Sequence, residues 1–415
     1  MILARIRDRN VIRVYEAVLL IGMAYGISIS LTPLHLDALH FDKRAIGTLA
    51  AWFAGGIVLF SLPMGPLIKR FSARGTLVAS VIGYAACVAV FPHLKTYSAV
   101  AIARFLDGAF SVGIWVGTET ILLSRADEDN KAFVTSVYAM ALAVGYVFGP
   151  LVARAVVAVA PTWVAFAASG VLATLAGLYL LARLEADTVH AHAHGTDAAE
   201  QSARAGESVL WRIKTSCFAT FAYGYFQASV VLFLPLFLIE SKGVARERTI
   251  LVTAFFAAGM LLFSNLFGRL GDRFGHLRVM RVLAMIGTAM ILGFVFLDSF
   301  WIMCAAVFVA GATLASISPV SLALQGVVAA PSEYGRANAI YNAFYAVGML
   351  LGPPVSSTIF AARGGEAMLL HLGALWVGFI VFASVFAGDD PANRRRPTAA
   401  GAGAPETLPA TTAGD

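Results

Sequence analysis

The organisation of this chain is clearest in two similar segments, Gly65-Pro-Leu-Ile-Lys-Arg-Phe71 and Gly268-Arg-Leu-Gly-Asp-Arg-Phe-Gly-His-Leu-Arg278. Each is a short basic segment that follows a long apolar run. The second begins 203 positions after the first, and Gly145-Tyr-Val-Phe-Gly-Pro150 recurs at the same spacing as Gly348-Met-Leu-Leu-Gly-Pro353. Unrelated motifs that repeat at one offset indicate an internal duplication. The sequence therefore predicts two similar halves.

The repeated glycines and prolines are predicted to shape contacts between helices. Glycines four residues apart let two helices approach closely, and a proline bends a helix. We predict a packing or gating role for residues of this kind in both halves, which are Gly108, Gly145, Gly149, Pro150, Gly348, Gly352 and Pro353.

Long apolar runs separate these motifs, and their length of about 20 residues is what a membrane helix requires. Of the 415 residues, 59% are hydrophobic and only 13% are charged, and the mean hydropathy is +0.79. This composition excludes a soluble enzyme, a disordered chain and a secreted disulfide scaffold. We predict an all-α membrane protein with twelve transmembrane helices in two pseudo-symmetric six-helix halves. The spans are near 14–35, 45–67, 76–94, 98–123, 133–154, 163–184, 213–239, 248–268, 279–297, 300–326, 337–361 and 367–387.

The repeat and the composition set the domain boundaries. We predict a six-helix bundle at 1–184, a polar cytoplasmic linker at 185–212, a second six-helix bundle at 213–388 and a disordered cytoplasmic tail at 389–415. With both termini cytoplasmic, most of the 30 Lys and Arg residues lie on the cytoplasmic side, as the positive-inside rule requires. We therefore expect a multi-pass protein of the inner (plasma) membrane, whose net charge of +6 implies no nucleic-acid partner.

The loop 268–278 resembles the cytoplasmic loop motif of the major facilitator superfamily of secondary transporters. The six-plus-six repeat covers nearly the whole chain, so the resemblance implies the fold of that family. It also implies a cytoplasmic latch between the halves, formed by Gly65, Arg70, Arg74, Gly268, Asp272, Arg273, Gly275 and Arg278. The first copy departs from the family pattern, because Lys69 stands in place of Asp and Ser72 in place of Gly. We therefore expect Asp272, next to a helix N-terminus, to carry more of the latch.

Few charged residues lie well inside the predicted spans, and all of them belong to the first half. Arg104-Phe-Leu-Asp107-Gly108 is similar to the helix 4 motif of the family, which implies that Arg104 and Asp107 take part in proton coupling. Ionised side chains within a membrane are costly and are functional candidates by default. The alternative is an Arg104–Asp107 pair that only stabilises its own helix.

Glu16 and Glu119 are further candidates for proton coupling. For each, the alternative is a structural charge pair, with Arg13 for Glu16 and with Arg70 or Arg74 of the loop for Glu119. The segment Trp115-Val-Gly-Thr-Glu119 is similar to the YcaD-type branch of the superfamily, a resemblance that supplies no substrate.

The resemblance places helices 1, 4, 7 and 10 around a central cavity. Aromatic and polar residues on these helices are candidates for its wall, namely Tyr25, Trp115, Tyr223, Gln227 and Gln325. A wall of this kind suits an amphipathic or weakly polar organic solute. We attribute the cluster of His190, His192 and His194 to composition, and we predict no metal and no cofactor.

These features predict a secondary active transporter that moves a small organic solute by alternating access. The motif at 145–150 resembles the helix 5 pattern that is associated with antiporters in that family, which implies export. We therefore expect proton-coupled efflux by antiport, carried out by a monomer whose partners are the solute, protons and the lipid bilayer. Two alternatives are a proton-coupled importer of a metabolite such as a sugar or an organic acid, and a sensor or scaffold that transports nothing. A membrane-embedded enzyme is disfavoured, because no metal-binding, Ser/His/Asp or phosphate-binding motif is positioned for one.

Overall fold

The computed structural model describes residues 8–125, 131–185, 208–330 and 333–394. Within these residues the chain is helical and contains no β-strand. Eleven stretches are long and apolar enough to cross a membrane, and the last of them, Arg336–Val385, holds two helices. These two meet at Gly364, whose φ of +84° favours glycine. The prediction of an all-α membrane protein with twelve spans is confirmed.

We number the twelve long helices of the described residues in chain order. Their bounds are α1 Arg9–Ala38, α2 Lys43–Ser61, α3 Ala73–Val90, α4 Tyr97–Ser124, α5 Lys131–Val157, α6 Thr162–Arg183, α7 Lys214–Lys242, α8 Arg246–Phe274, α9 His276–Phe294, α10 Phe300–Val328, α11 334–363 and α12 365–385. A π-helical turn, Gly311–Ala315, interrupts α10.

The second span ends earlier than predicted. It stops at Ser61, and a separate short helix, Met64–Phe71, carries the first copy of the loop motif. Pro63 and Pro66 lie at this break, and neither has the backbone N–H that a continuous helix would use. The eighth span is longer than predicted, because α8 continues to Phe274 and includes most of the second copy of the motif.

Two predicted domain boundaries also shift. Residues 389–394, predicted as part of a disordered tail, are ordered: Asp389 pairs with Lys214 at 2.8 Å, and Asp390 is buried. The last residues of the predicted linker form a helical turn, Val209–Arg212, whose Val209 is buried in a small core of the second half. The rest of the linker with His190, His192 and His194, and the tail from residue 395, lie outside the described residues.

The same glycine contacts join helices in both halves. At each crossing a glycine faces a backbone carbonyl of the neighbouring helix so closely that a Cβ there would lie 2.0–2.1 Å from the oxygen. The contacts are Gly56 with Phe105 and Gly108 with Phe53 between α2 and α4, and Gly259 with Phe308 and Gly311 with Phe256 between α8 and α10. Each contact in the first half recurs 203 positions later, so the duplication extends to the packing.

The predicted packing glycines of α5 and α11 make a second repeated contact. Gly145 and Gly149 lie against the backbone of α1, and Gly348 and Gly352 lie against the backbone of α7. A side chain at any of these four positions would displace the neighbouring helix. Close approach, rather than backbone conformation, therefore explains these glycines.

The chain crosses the bundle back and forth, so its loops lie at two faces. We call the face that holds the start of α1 and the end of α12 the terminal face, and the other the opposite face. Between the halves, α2 packs on α11 and α5 packs on α8. These two contacts leave a space at the centre of the bundle.

Candidate functional site

A cavity of about 210 Å³ lies between the two halves. Its wall comes from α1, α2, α4, α5, α7, α8 and α11, and most of its residues are aromatic or aliphatic. They are Tyr25, Ile29, Thr32, Pro33, Ala50, Phe53, Arg104, Trp115, Tyr146, Gln227, Ala228, Val231, Leu232, Thr253, Phe256, Ala257, Met260, Tyr345 and Met349. Apolar cavities with a few placed polar groups are the usual sites for small organic ligands.

Three of the five predicted wall residues, Tyr25, Trp115 and Gln227, lie on this wall. Tyr223 stands behind it, with its hydroxyl 3.9 Å from the Met260 sulfur and its ring stacked on Tyr345. Gln325 lies outside it, because α10 supplies none of the wall residues, and its buried Oε1 has no hydrogen-bond partner among the described residues.

The sequence interpretation missed Phe53, Tyr146 and Tyr345, which also line the cavity. Tyr146 is part of the repeated motif 145–150, from which only the glycines and the proline were used. Tyr146 could have been predicted from its position beside Gly145, because that glycine allows α5 to pack closely against α1. Phe53 and Phe256 are 203 positions apart and could have been found as an equivalent pair.

Arg104 and Asp107 form an ion pair in the wall. Arg104 Nη1 lies 2.5 Å from Asp107 Oδ2, and the guanidinium also stacks over the Phe53 ring at 4.4 Å from its centre. The Asp107 residue is only 8% exposed. A buried ion pair is costly to form, but removing one partner costs more, because a charge is left unpaired.

A chain of hydroxyl groups connects the cavity to Asp107. The Tyr25 hydroxyl donates to Ser111 Oγ at 2.7 Å, and Ser111 Oγ lies 3.5 Å from Asp107 Oδ1. Arg104 and Tyr25 both line the cavity, whereas Asp107 borders a smaller space behind them. The pair therefore lies between the cavity and this smaller space.

Glu16 does not lie at this site. It accepts a hydrogen bond from Tyr179 on α6, on the outer side of the first half, and it is exposed. The expected partner Arg13 pairs instead with Glu185, at 3.5 Å. Glu16 thus belongs to the contact between α1 and α6.

Glu119 lies one helical turn beyond Trp115 towards the terminal face and is exposed. The expected relay with the loop arginines does not form. Arg70 stacks over the Phe71 ring, and Arg74 donates to the Leu181 carbonyl at 2.6 Å. Within the described residues, Glu119 makes no hydrogen bond and no ion pair.

Charged residues tie the two halves together at the opposite face. Lys43 at the start of α2 pairs with Glu240 at the end of α7. Arg246 at the start of α8 pairs with Asp37 near the end of α1 at 2.6 Å, and it donates to the Leu34 carbonyl at 2.9 Å. This network was not predicted. Its residues nevertheless occupy equivalent positions of the two halves, because Glu240 lies 203 positions after Asp37 and Arg246 lies 203 positions after Lys43.

A close helix contact accompanies these ion pairs. A Cβ at Gly47 on α2 would lie 2.3 Å from Ser357 Oγ and 2.7 Å from the Pro353 carbonyl, both on α11. The halves therefore meet without a gap at this level of the bundle.

The contacts that the structure shows for predicted latch residues at the terminal face lie within their own half. Asp272, with a side chain 72% exposed, lies 3.1 Å from His276 Nε2. The carboxylate at the N-terminus of α9 is instead Asp390, which accepts the Leu277 N–H at 2.9 Å. The segment after α12 therefore supplies the cap of α9, and the latch role expected for Asp272 stays a prediction. In the described part of the chain, no hydrogen bond or ion pair joins the halves at this face.

The whole chain is similar to known transporters. The profile of the Major Facilitator Superfamily matches residues 16–247 and 216–413. A protein from Escherichia coli described as uncharacterized MFS-type transporter YcaD is 25% identical over 388 residues, which cover 92% of this chain and 97% of that protein. The YcaD protein of Shigella dysenteriae matches to the same extent.

Solved structures share the fold. Nucleoside transporter NupG superposes with a TM-score of 0.72 at 13% identity, covering 92% of this chain and 99% of that one. A bacterial homolog of the human lysosomal transporter Spinster, in an inward-facing and occupied conformation, gives a TM-score of 0.71 at 14% identity, covering 92% and 96%. With its duplicated halves, its central cavity and these matches along its length, the chain belongs to the Major Facilitator Superfamily.

Proposed function

We propose that this protein moves a small organic solute across the inner membrane by alternating access, with its terminal face in the cytoplasm. The observation that carries the proposal is the combination of a central cavity with ties between the halves at the opposite face only, within the described residues. A solute in the cavity can pass to the opposite face only after these ties break. The halves must then rock about the cavity.

In this orientation, the described state is closed towards the periplasm. The latch residues at the cytoplasmic face are the candidates for the ties of the alternate state. Asp272 and Arg273 are suited to that role, because in the present state Asp272 is largely exposed and Arg273 stacks over its neighbour Phe274. One chain supplies the complete cavity, so we propose that a monomer suffices.

We propose that the Arg104–Asp107 pair couples transport to protons. When Asp107 takes up a proton, Arg104 loses its counter-ion and presents a free positive charge to the cavity. Tyr25 and Ser111 offer a hydrogen-bonded route between the cavity and Asp107. An ionisable pair on the wall of a membrane cavity is the kind of site that relays protons in transporters.

For the direction of transport, the sequence favours export by proton antiport, on the motif of α5. The α5 glycines contact α1 in the same way as the α11 glycines contact α7, so this geometry supports helix packing as readily as export. A specific observation favours the second candidate, uptake of solute together with a proton. Among the described residues, Arg104 is the one formally charged residue on the wall, and protonation of Asp107 would strengthen its attraction for a solute.

Proteoliposomes that contain a pH-sensitive dye test both proposals. Addition of a transported solute outside should acidify the lumen in symport and make it alkaline in antiport. The Asp107→Asn variant should lose the proton signal, whereas Arg363→Gln, which removes an exposed charge outside the cavity, should keep it. Solute uptake with no pH response in the unmodified protein would refute the coupling.

A further inference from the structure

We propose that the central cavity binds an organic monoanion, a carboxylate carried on a flat aromatic or apolar body, with the carboxylate held by Arg104. This inference rests on the proposed transport function and adds the chemical class of the solute. It depends on three properties of the wall: its charge, the balance of its hydrogen-bonding groups, and the shape of its apolar surface.

The charge of the wall is positive. Arg104 lines the cavity, and no wall residue in the part of the chain that the structure describes carries a carboxylate. Within the described residues, the guanidinium makes a single ion pair, through Nη1 to Asp107, and its side chain keeps 15% exposure. Its remaining N–H groups can therefore reach a ligand. Arginine binds carboxylates through two parallel hydrogen bonds, which are stronger than neutral ones.

The uncharged polar groups also favour a ligand that accepts hydrogen bonds. The Gln227 carbonyl oxygen already accepts the Tyr345 hydroxyl at 2.9 Å, which leaves the amide N–H groups of Gln227 for the cavity. Trp115 adds an indole N–H, which can only donate. An oxygen-bearing ligand satisfies these donors, whereas an ammonium group does not.

The apolar part of the wall suits a flat body. Tyr25, Tyr146 and Tyr345 line the cavity together with Phe53 and Phe256. Aromatic faces also attract cations. In this cavity the Phe53 face is already taken by Arg104 at 4.4 Å, and the guanidinium repels a second cation. The balance therefore favours an anion.

Binding of an anion also explains why Arg104 is paired with an acid. The ionisable groups that face Asp107 are Arg104 on its own helix, Tyr25 on α1, Tyr84 and Cys87 on α3, and Tyr146 on α5. With the carboxylate of a ligand on Arg104, Asp107 can take a proton, and the total charge of the site stays the same. The solute and the proton then occupy the protein together, as uptake by symport requires.

Calorimetric titration of the purified protein with three probes of one shape tests the inference. The probes are naphthoate, naphthamide and naphthylmethylammonium, which are anionic, neutral and cationic. We expect naphthoate to bind about tenfold to a hundredfold more tightly than naphthamide, as charge-assisted hydrogen bonds would give, and the cation to bind more weakly still. Affinity for naphthoate should fall as pH rises in the unmodified protein and should be high and independent of pH in Asp107→Asn.

Arg104→Gln should lose the preference for naphthoate, Arg104→Lys should keep part of it, and Arg363→Gln should keep all of it. Thermal unfolding of each variant shows whether it is folded. The inference is overturned if the unmodified protein does not bind naphthoate, or if it binds either of the other probes equally or more tightly. It is also overturned if folded Arg104→Gln binds naphthoate as the unmodified protein does. These results leave the transport proposal intact if a pH gradient still drives accumulation of a neutral or cationic solute in vesicles. If it drives none of the three classes, the transport proposal fails instead.

Discussion

Lys43 and Arg246 are equivalent residues of the two halves, and each binds a carboxylate of the half to which it does not belong. Lys43 begins α2 and reaches Glu240 at the end of α7, while Arg246 begins α8 and reaches Asp37 near the end of α1. The two ties are thus related by the pseudo-twofold symmetry of the bundle. A rocking motion that opens the opposite face must break both ties.

The Lys43–Glu240 tie should control the equilibrium between the two states. Lys43→Glu places two carboxylates together and should favour the state open at the opposite face, by about fivefold if the tie contributes about 1 kcal/mol. Spin labels at the exposed positions Lys95 and Arg363, with the three native cysteines replaced, should then report a longer distance across that face.

The double variant Lys43→Glu with Glu240→Lys restores opposite charges and should restore the shorter distance. If the double variant stays open, another contact of Lys43 is responsible. The other contacts of Lys43 are with Asp37, at 3.4 Å, and with the Phe360 ring, over which it lies.

Gly47 should be required for closure at the same face. In Gly47→Leu the side chain would meet Ser357 and the Pro353 carbonyl, and a backbone carbonyl cannot move aside as a flexible side chain can. We expect the same longer distance between labels and a loss of transport. Gly55→Leu on the same helix is the control, because no atom of the described residues lies within 4 Å of a Cβ there. Identical behaviour of the two variants would contradict this prediction.

Arg104 and Asp107 should depend on each other for stability. Either Arg104→Gln or Asp107→Asn leaves one charged partner without its counter-ion, a change that costs about 3–5 kcal/mol for a buried pair. The double variant should unfold at a higher temperature than Arg104→Gln, because it leaves no unpaired charge. Strictly additive losses in thermal unfolding would show that the two side chains do not interact.

Asp390 should matter more for stability than Asp272. Asp390 caps α9 through Leu277, and loss of such a cap costs about 0.5–2 kcal/mol. Asp390→Ala should therefore lower the unfolding temperature, whereas Asp272→Ala removes a side chain that is 72% exposed and should change it little. A larger effect of Asp272→Ala on unfolding would mean that the latch carboxylate has a structural role in the present state.

The helices, the duplication and the family could be predicted because apolar length and a fixed offset are visible in one dimension. The wall of the cavity could be predicted only in part. Tyr25, Trp115 and Gln227 follow from the helices they occupy, but Gln325 does not, since the crossing of α10 with α8 decides which face of α10 is turned inward.

Contacts between the halves were the hardest to predict, because they depend on which face of the bundle is closed. The sequence motif drew attention to the terminal face, where Asp272 stays within its own half. The ties at the opposite face involve ordinary loop charges. The sequence indicates these ties only through a repeat of charge. Asp37 corresponds to Glu240, and Lys43 corresponds to Arg246, at the offset of the duplication.

The glycine crossings shared by the two halves give the cavity a consequence for how a solute is oriented. Phe53 and Phe256 stand at equivalent places on its two sides, held by Gly108 and Gly311. The positions equivalent to Arg104 and Asp107 are Val307 and Ala310, so within the described residues this charged pair has no counterpart in the second half. The two halves are therefore symmetric in packing, but the cavity between them is charged on one side and uncharged on the other. If the halves rock as proposed, a solute with one polar end would enter in a single orientation and would keep that end towards α4 throughout the motion.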